Sequence, residues 1–403
     1  MISDRSTSDY TQSDRNTSMP MRMVFLLAAI FALTPYAIDS YLPAIPSIAN
    51  DFGVDTAKIS ITVSMYIFGL AIGQLIGGPL SDKYGRRAIV VLGLLIFAVC
   101  SVVLSTVDTL ESFWFWRLMQ SIGGGIAVVG VPATIRDHAK GKEAAKLFSL
   151  IALIMMIAPS IAPSIGTLIM RTLGWEWIFI SIGALAFIIA MISFKVMPKP
   201  VTLSQPLPKA TFRGVMAVKP AMLLLFSHAL SYATLVTFIT NAPFAYIVHF
   251  GASEELFSAL FLAKVSGIVF TNRLNNYLLR KHEPHVLFIR FLSLQLVGAV
   301  VLLLATAVFP ESIWAAAAGL ILLTASVGGT LSNSNVTYMK YFEKNAGTAA
   351  SLLGASQYFI GAVISAITAF LTVSSLWPLA IVLVACSVGA LFFIQANQRL
   401  DNT

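Results

Sequence analysis

The sequence predicts an all-α membrane protein with about twelve transmembrane helices arranged as two six-helix bundles. Three observations carry this: a composition too apolar for a water-facing surface, a recurrence of long apolar windows, and basic residues confined to alternate loops. Of 403 residues, 57% are hydrophobic and 11% charged, with a mean hydropathy of +0.84. Soluble domains carry about 25% charged residues. Much of this chain's exterior must therefore face lipid.

A membrane-spanning helix needs about 20 consecutive, mostly apolar residues. Such windows fall near 23–46, 57–80, 88–107, 112–135, 147–170, 175–197, 220–247, 253–274, 285–308, 312–338, 346–371 and 376–396. With the N-terminus in the cytoplasm, 22 of the 26 basic residues fall in cytoplasmic segments or at their edges. Lys58 and Arg171 are outside, and Arg117 and Lys264 are within spans. Basic residues gather on the cytoplasmic side of membrane proteins, so both termini are expected there and the span number is even. The net charge of +8 then serves anionic lipid headgroups and implies no nucleic-acid partner.

Residues 1–20 are too rich in Ser, Thr and Asp for a signal peptide and read as a disordered cytoplasmic tail. Residues 21–197 are expected to form one bundle and 220–397 the other. The proline-bearing, basic segment 198–219 between them reads as a cytoplasmic linker. An offset of 193 aligns Asp82 with Asn275, Tyr84 with Tyr277 and Arg87 with Arg280, in the loop after the second span of each half. Cys100 and Cys386 lie in apolar runs and read as packing residues. No metal or cofactor is expected. No His-Glu-x-x-His or Gly-x-Ser-x-Gly occurs, which argues against an intramembrane enzyme.

The segment Gly78-Pro79-Leu80-Ser81-Asp82-Lys83-Tyr84-Gly85-Arg86-Arg87 joins spans two and three. Gly78 is expected to allow close helix contact, Gly85 to support the turn, and Asp82 to pair with Arg86 or to face a helix N-terminus. The stretch resembles the signature loop of the major facilitator superfamily, Gly-x-Leu-x-Asp-x-x-Gly-Arg-Arg/Lys. Arg117-Leu118-Met119-Gln120-Ser121-Ile122-Gly123-Gly124-Gly125 in span four resembles that superfamily's Arg-x-x-Gln-Gly-x-Gly motif, with Ser121 where Gly is usual. In span five, Pro159, Pro163 and Gly166 resemble the proline-rich motif that marks antiporters, with Ala158 in place of Gly. Together with Tyr41-Leu42-Pro43-Ala44-Ile45-Pro46, Asn335 and the run from Gly347 to Gln357, this is similar to the Bcr/CflA branch of drug:proton antiporters. The resemblance covers the chain beyond residue 20. It implies proton-coupled export of small organic molecules by a monomer in a bacterial inner membrane.

Asp39 is the decisive residue: an acidic side chain deep in span one. Low dielectric favours the neutral form of a carboxylate, so Asp39 can exchange a proton for a ligand. Within the resemblance it is the proton and substrate site. Arg117 is expected to tune it if the two lie close. A guanidinium inside a span costs roughly 2.5–3.5 kcal/mol on insertion scales, so Arg117 either finds a partner or snorkels outward near Glu111. Lys264 in span eight either pairs with Asp39 across a cavity, attracting an anionic or zwitterionic substrate, or snorkels. His228 is expected to bond a backbone carbonyl rather than relay protons. Tyr36, Tyr66, Gln120, Asn241, Phe244, Tyr246, Asn335 and Gln357 are expected to line the cavity, with Asn333 and Tyr358 beside them. A symporter, facilitator or siderophore-like metabolite exporter on the same fold is the alternative.

Overall fold

The computed structural model describes residues 19–138, 161–198, 212–342, 346–372 and 375–401. The expected tail over residues 1–18, most of the linker, and Pro159 lie outside the described residues, and so does the side chain of Asp82.

Span one is broken. Helix α1 (Met21–Asp39) stops at the aspartate, a 3-10 turn follows over Leu42–Ala44, and α2 (Ile45–Asp51) resumes. Pro43 and Pro46 stand in the first positions of the two short pieces, where their missing N–H is least harmful. Helices α3 (Thr56–Tyr84), α4 (Arg86–Leu104), α5 (Leu110–His138), α6 (described as Ile161–Leu173) and α7 (Glu176–Val196) complete the first half. The second half follows a short helix, α8 (Phe212–Met216). It comprises α9 (Lys219–Pro243), which widens into a π-helical turn over Phe244–His249, then α10 (Glu254–Leu278) and α11 (Pro284–Val308). Helices α12 (Ile313–Ala325) and α13 (Val327–Met339) form one interrupted span, followed by α14 (Ala346–Leu371) and α15 (Trp377–Asp401).

Nine of these described segments are long and apolar enough to cross a membrane, and α5, α6 and α10 bring the spans to twelve. Helices α5 and α10 carry Arg117 and Lys264 inside the span, with Gln120 in one and Asn272, Asn275 and Asn276 in the other.

The halves are held by close backbone packing. A Cβ on Gly73 of α3 would lie 2.2 Å from the carbonyl oxygen of Ile122, and one on Gly125 of α5 would lie 2.4 Å from that of Leu70. Gly93 of α4 and Gly123 of α5 meet in the same way. The second half repeats the device where Gly298 of α11 meets Leu323 of α12. Small residues let transmembrane helices approach where no water is available to drive them together. The three glycines 123–125 therefore pack closely as expected.

Gly78 does not: a Cβ there would meet nothing within 4 Å, whereas one on Gly77 would lie 2.9 Å from Ile126 Cα. The close-contact role belongs to Gly73 and Gly77, five residues and one residue before the signature position. Gly85 holds φ 91° and ψ 145° between α3 and α4, a conformation only glycine adopts without strain. Its turn is braced by Arg86, which donates to Ser81 Oγ at 3.0 Å. Arg87 lies with its guanidinium 4.2 Å from the Phe194 ring centre.

At the opposite end, marked by Gly174, rings of Phe52, Phe113, Trp175 and Phe179 pack edge to face. Trp175 Nε1 donates to Asp51 at 2.7 Å. Side-chain bridges between the halves gather near this end. Ser64 of α3 bonds Ser365 of α14 at 2.6 Å and Thr240 of α9 at 3.3 Å. Thr167 of α6 meets Ser258 of α10 at 3.5 Å. Arg171 binds Glu254 at 2.7 Å and also Glu255. Along the middle, α3 lies against α14, with Phe68 and Phe359 rings 5.8 Å apart. Toward the Gly85 end these helices part around an apolar pocket of about 460 Å³, which α9 and Met216 also line.

Candidate transport site between the halves

Asp39 ends α1 and is 3% exposed, with Oδ1 lacking a hydrogen-bond partner. The broken turn after it is fixed from two sides. Ser40 N–H reaches back to Tyr36 O at 3.0 Å, and Gly166 of α6 presses on the Ser40 carbonyl so closely that a Cβ would sit 1.7 Å from it. The glycine of the proline-rich span-five motif thus abuts the turn that carries the carboxylate. The 3-10 segment beyond Asp39 touches both α9 and α10 of the other half.

Lys264 faces this corner from α10. It is 3% exposed, with Nζ 4.0 Å from the ring centre of Phe261 and 5.5 Å from that of Phe238. Phe257 stacks on Phe261, and Tyr246 packs edge-on against Phe257 and Phe238. Lys264 is therefore caged, not snorkelling. It and Asp39 are within electrostatic reach of each other, yet the ion pairs of the described residues do not include them. At a rise of about 1.5 Å per residue, Lys264 lies about 15 Å along α10 from Glu254, and Asp39, within electrostatic reach of it, stands at a comparable depth. Both are near the middle of a hydrocarbon layer about 30 Å thick.

Arg117 is fully buried, which removes the snorkelling reading. Nη1 donates to Gln120 Oε1 at 2.7 Å, and Gln120 Nε2 donates to Ser101 Oγ at 2.6 Å. The guanidinium carbon lies 4.3 Å from the Tyr41 ring centre, 4.7 Å from Tyr66 and 5.5 Å from Phe179. Cation–π contact of this kind partly replaces lost hydration. Lys264 is within electrostatic reach of Asp39, while Arg117 packs on the ring of Tyr41, two residues along the chain. Each half thus carries one cation in an aromatic cage.

His228 bonds Ser334 Oγ through Nδ1 and Gln357 Oε1 through Nε2, each at 2.6 Å. Both partners are side chains, so the expected backbone carbonyl is corrected. Gln357 is half-buried beside Tyr358, whose ring meets Tyr232 edge-on at 5.5 Å. Tyr36 is half-buried, Asn335 exposed. Asn241 is buried and donates to Thr237 O within its own helix at 2.8 Å. Tyr66, Gln120, Phe244 and Tyr246 are buried. Asn333 donates to Asn275 Oδ1 at 2.6 Å, tying α13 to the residue that the offset repeat aligns with Asp82.

Sequence reasoning did not single out Tyr232, Ser64, Ser365 or Gln295. Gln295, in the middle of α11, joins Ser231, Thr234 and Ser387. An amide in so apolar a helix was a readable signal of such a cluster. The two serines carried none.

Twelve helices in two halves, with a buried carboxylate and a buried ammonium facing each other without an ion pair, are the layout of a polytopic transporter. Residues 25–366 match the Major Facilitator Superfamily, and the chain belongs to that family. It is a multi-pass membrane transporter of small molecules and not an enzyme. It is 27% identical to a bicyclomycin resistance protein homolog of Haemophilus influenzae over 93% of this chain and 96% of the relative. It is also 27% identical to multidrug resistance protein MdtL of Klebsiella pneumoniae, over 92% of this chain and 94% of that one. These similarities agree with the branch resemblance in the motifs. Among solved structures, a D-xylose-proton symporter superposes with a TM-score of 0.74 at 15% identity, covering 93% of this chain and 97% of the symporter. A bacterial homolog of the lysosomal transporter Spinster gives 0.71, also at 15% identity, covering 94% and 98%. Those two structures share the fold.

Proposed function

We propose that this chain is a proton-driven exporter of small organic molecules, acting as a monomer in a bacterial inner membrane with both termini in the cytoplasm. The observation that carries the reading is Asp39: a carboxylate without a hydrogen-bond partner on Oδ1, at a helix break, at mid-depth between the two halves. Such a group holds a proton or binds a substrate, and competition between the two couples their movements. Rocking of one half against the other around a fixed midplane site then alternates access. The bridges at the Gly174 end support a state in which the site opens toward the Gly85 end. The basic residues near Gly85 support a cytoplasmic position for that end. Drug export is supported by the likeness to a bicyclomycin resistance protein homolog and a multidrug resistance protein and by the Gly166 motif against Ser40.

The test is dissipation of an imposed pH gradient in inverted membrane vesicles on adding compounds from a drug panel. Wild type is expected to release protons on substrate addition, and Asp39→Asn to release none while still inserting in the membrane. Equal dissipation by both would remove Asp39 from coupling. A proton movement in the same direction as the substrate would mark a symporter.

A further inference from the structure

We propose that the site between the halves is built for an amphoteric ligand, which sets its ammonium group against Asp39 and its carboxylate against Lys264. The inference rests on the exporter reading above and specifies its substrate class. Asp39 and Lys264 belong to opposite halves and lie at matching depth, yet no ion pair joins them. Asp39 Oδ1 is buried with no hydrogen-bond partner. The Lys264 ammonium carries three donors and rests on ring faces, which accept none of them in the ordinary sense.

Two opposite charges in low dielectric that face each other without an ion pair each keep unused hydrogen-bonding capacity. Bound there, a simple cation at Asp39 is repelled by the neighbouring ammonium. A simple anion at Lys264 is repelled by the carboxylate. A ligand bearing both groups satisfies both residues and leaves neither of these two charges uncompensated. The other ionisable groups nearby do not compete. Arg117 is enclosed by Tyr41, Tyr66 and Phe179, and His228 is committed to Ser334 and Gln357.

One aromatic skeleton in three charge states provides the probes: ciprofloxacin as the zwitterion, its methyl ester as the cation and its N-acetyl derivative as the anion. Binding to the purified full chain in detergent is followed at neutral pH by ligand fluorescence. Wild type is expected to bind the zwitterion at least tenfold more tightly than either the ester or the N-acetyl form. Lys264→Met should remove that preference and bind the ester more tightly than wild type does, because the repelling charge is gone. Lys264→Arg should restore the ranking.

The proposal is overturned if wild type binds the ester as well as the zwitterion, or if it binds none of the three. It is also overturned if Lys264→Met weakens ester and zwitterion equally. The wild-type ranking decides the matter even where a variant fails to fold. Proteoliposomes with an imposed pH gradient separate this from the exporter reading. The expected ranking without gradient-driven ciprofloxacin transport sinks the exporter reading and leaves the site intact. Gradient-driven transport without the ranking does the reverse.

Discussion

Arg117 shows how a full charge survives where water is absent. Only Nη1 finds a hydrogen-bonding side chain among the described residues, while Nε and Nη2 have none. The rest of its stabilisation comes from three ring faces. A desolvated cation–π contact contributes about 2 kcal/mol or more, so losing one ring of three is measurable. Tyr66→Phe keeps the face and is expected to melt close to wild type in detergent. Tyr66→Leu removes it and should lose about 1–2 kcal/mol, read as a lower unfolding midpoint. Equal melting of the two variants would mean that the ring does not hold the guanidinium. The same reasoning explains why Lys264 sits so deep: each half supplies an aromatic cage before it supplies a counter-charge.

Helix contacts in this chain are set by where side chains are missing. Gly73→Ala drives a methyl group to 2.2 Å from the Ile122 carbonyl oxygen, whereas Gly78→Ala enters open space. Overpacking costs about 1–3 kcal/mol. Gly73→Ala is therefore expected to lower the thermal midpoint by several degrees and Gly78→Ala to leave it unchanged. A reversed order would restore the signature glycine to the packing role that the motif suggested. That error is instructive. The spans, the break after Asp39 and the three interior charges were legible because an apolar window, a pair of prolines or a lone charge announces itself within one helix. Gly73, Tyr232 and the Ser64–Ser365 bridge were not, since their meaning lies in which residue of another helix they face. His228 was misread for the same reason, its partners lying on α13 and α14. The π-helical turn after Pro243 also left no pattern, because a proline near a helix end is compatible with an ordinary stop.

Alternating access requires the Gly174 end to part during each cycle, and the bridges there make that requirement testable. The ion pairs of Arg171 are too exposed to act as a lock, since such pairs add little and are screened by salt. Arg171→Ala should therefore slow transport only slightly. The Ser64–Ser365 contact is buried, and it joins α3 of one half to α14 of the other. With the two Oγ atoms 2.6 Å apart, a cysteine pair at these positions brings its sulfur atoms near the separation of a disulfide bond, about 2.0 Å. The natural cysteines, Cys100 and Cys386, are buried and free, so the pair is placed in a Cys100→Ala/Cys386→Ala background. Oxidised Ser64→Cys/Ser365→Cys protein in proteoliposomes is expected to bind ligand from the Gly85 end while transport falls to background. Reduction should restore both opening and transport. Full transport by protein shown to be completely cross-linked would mean that these helices never separate at the Gly174 end, and the rocking of the two halves would have to be abandoned.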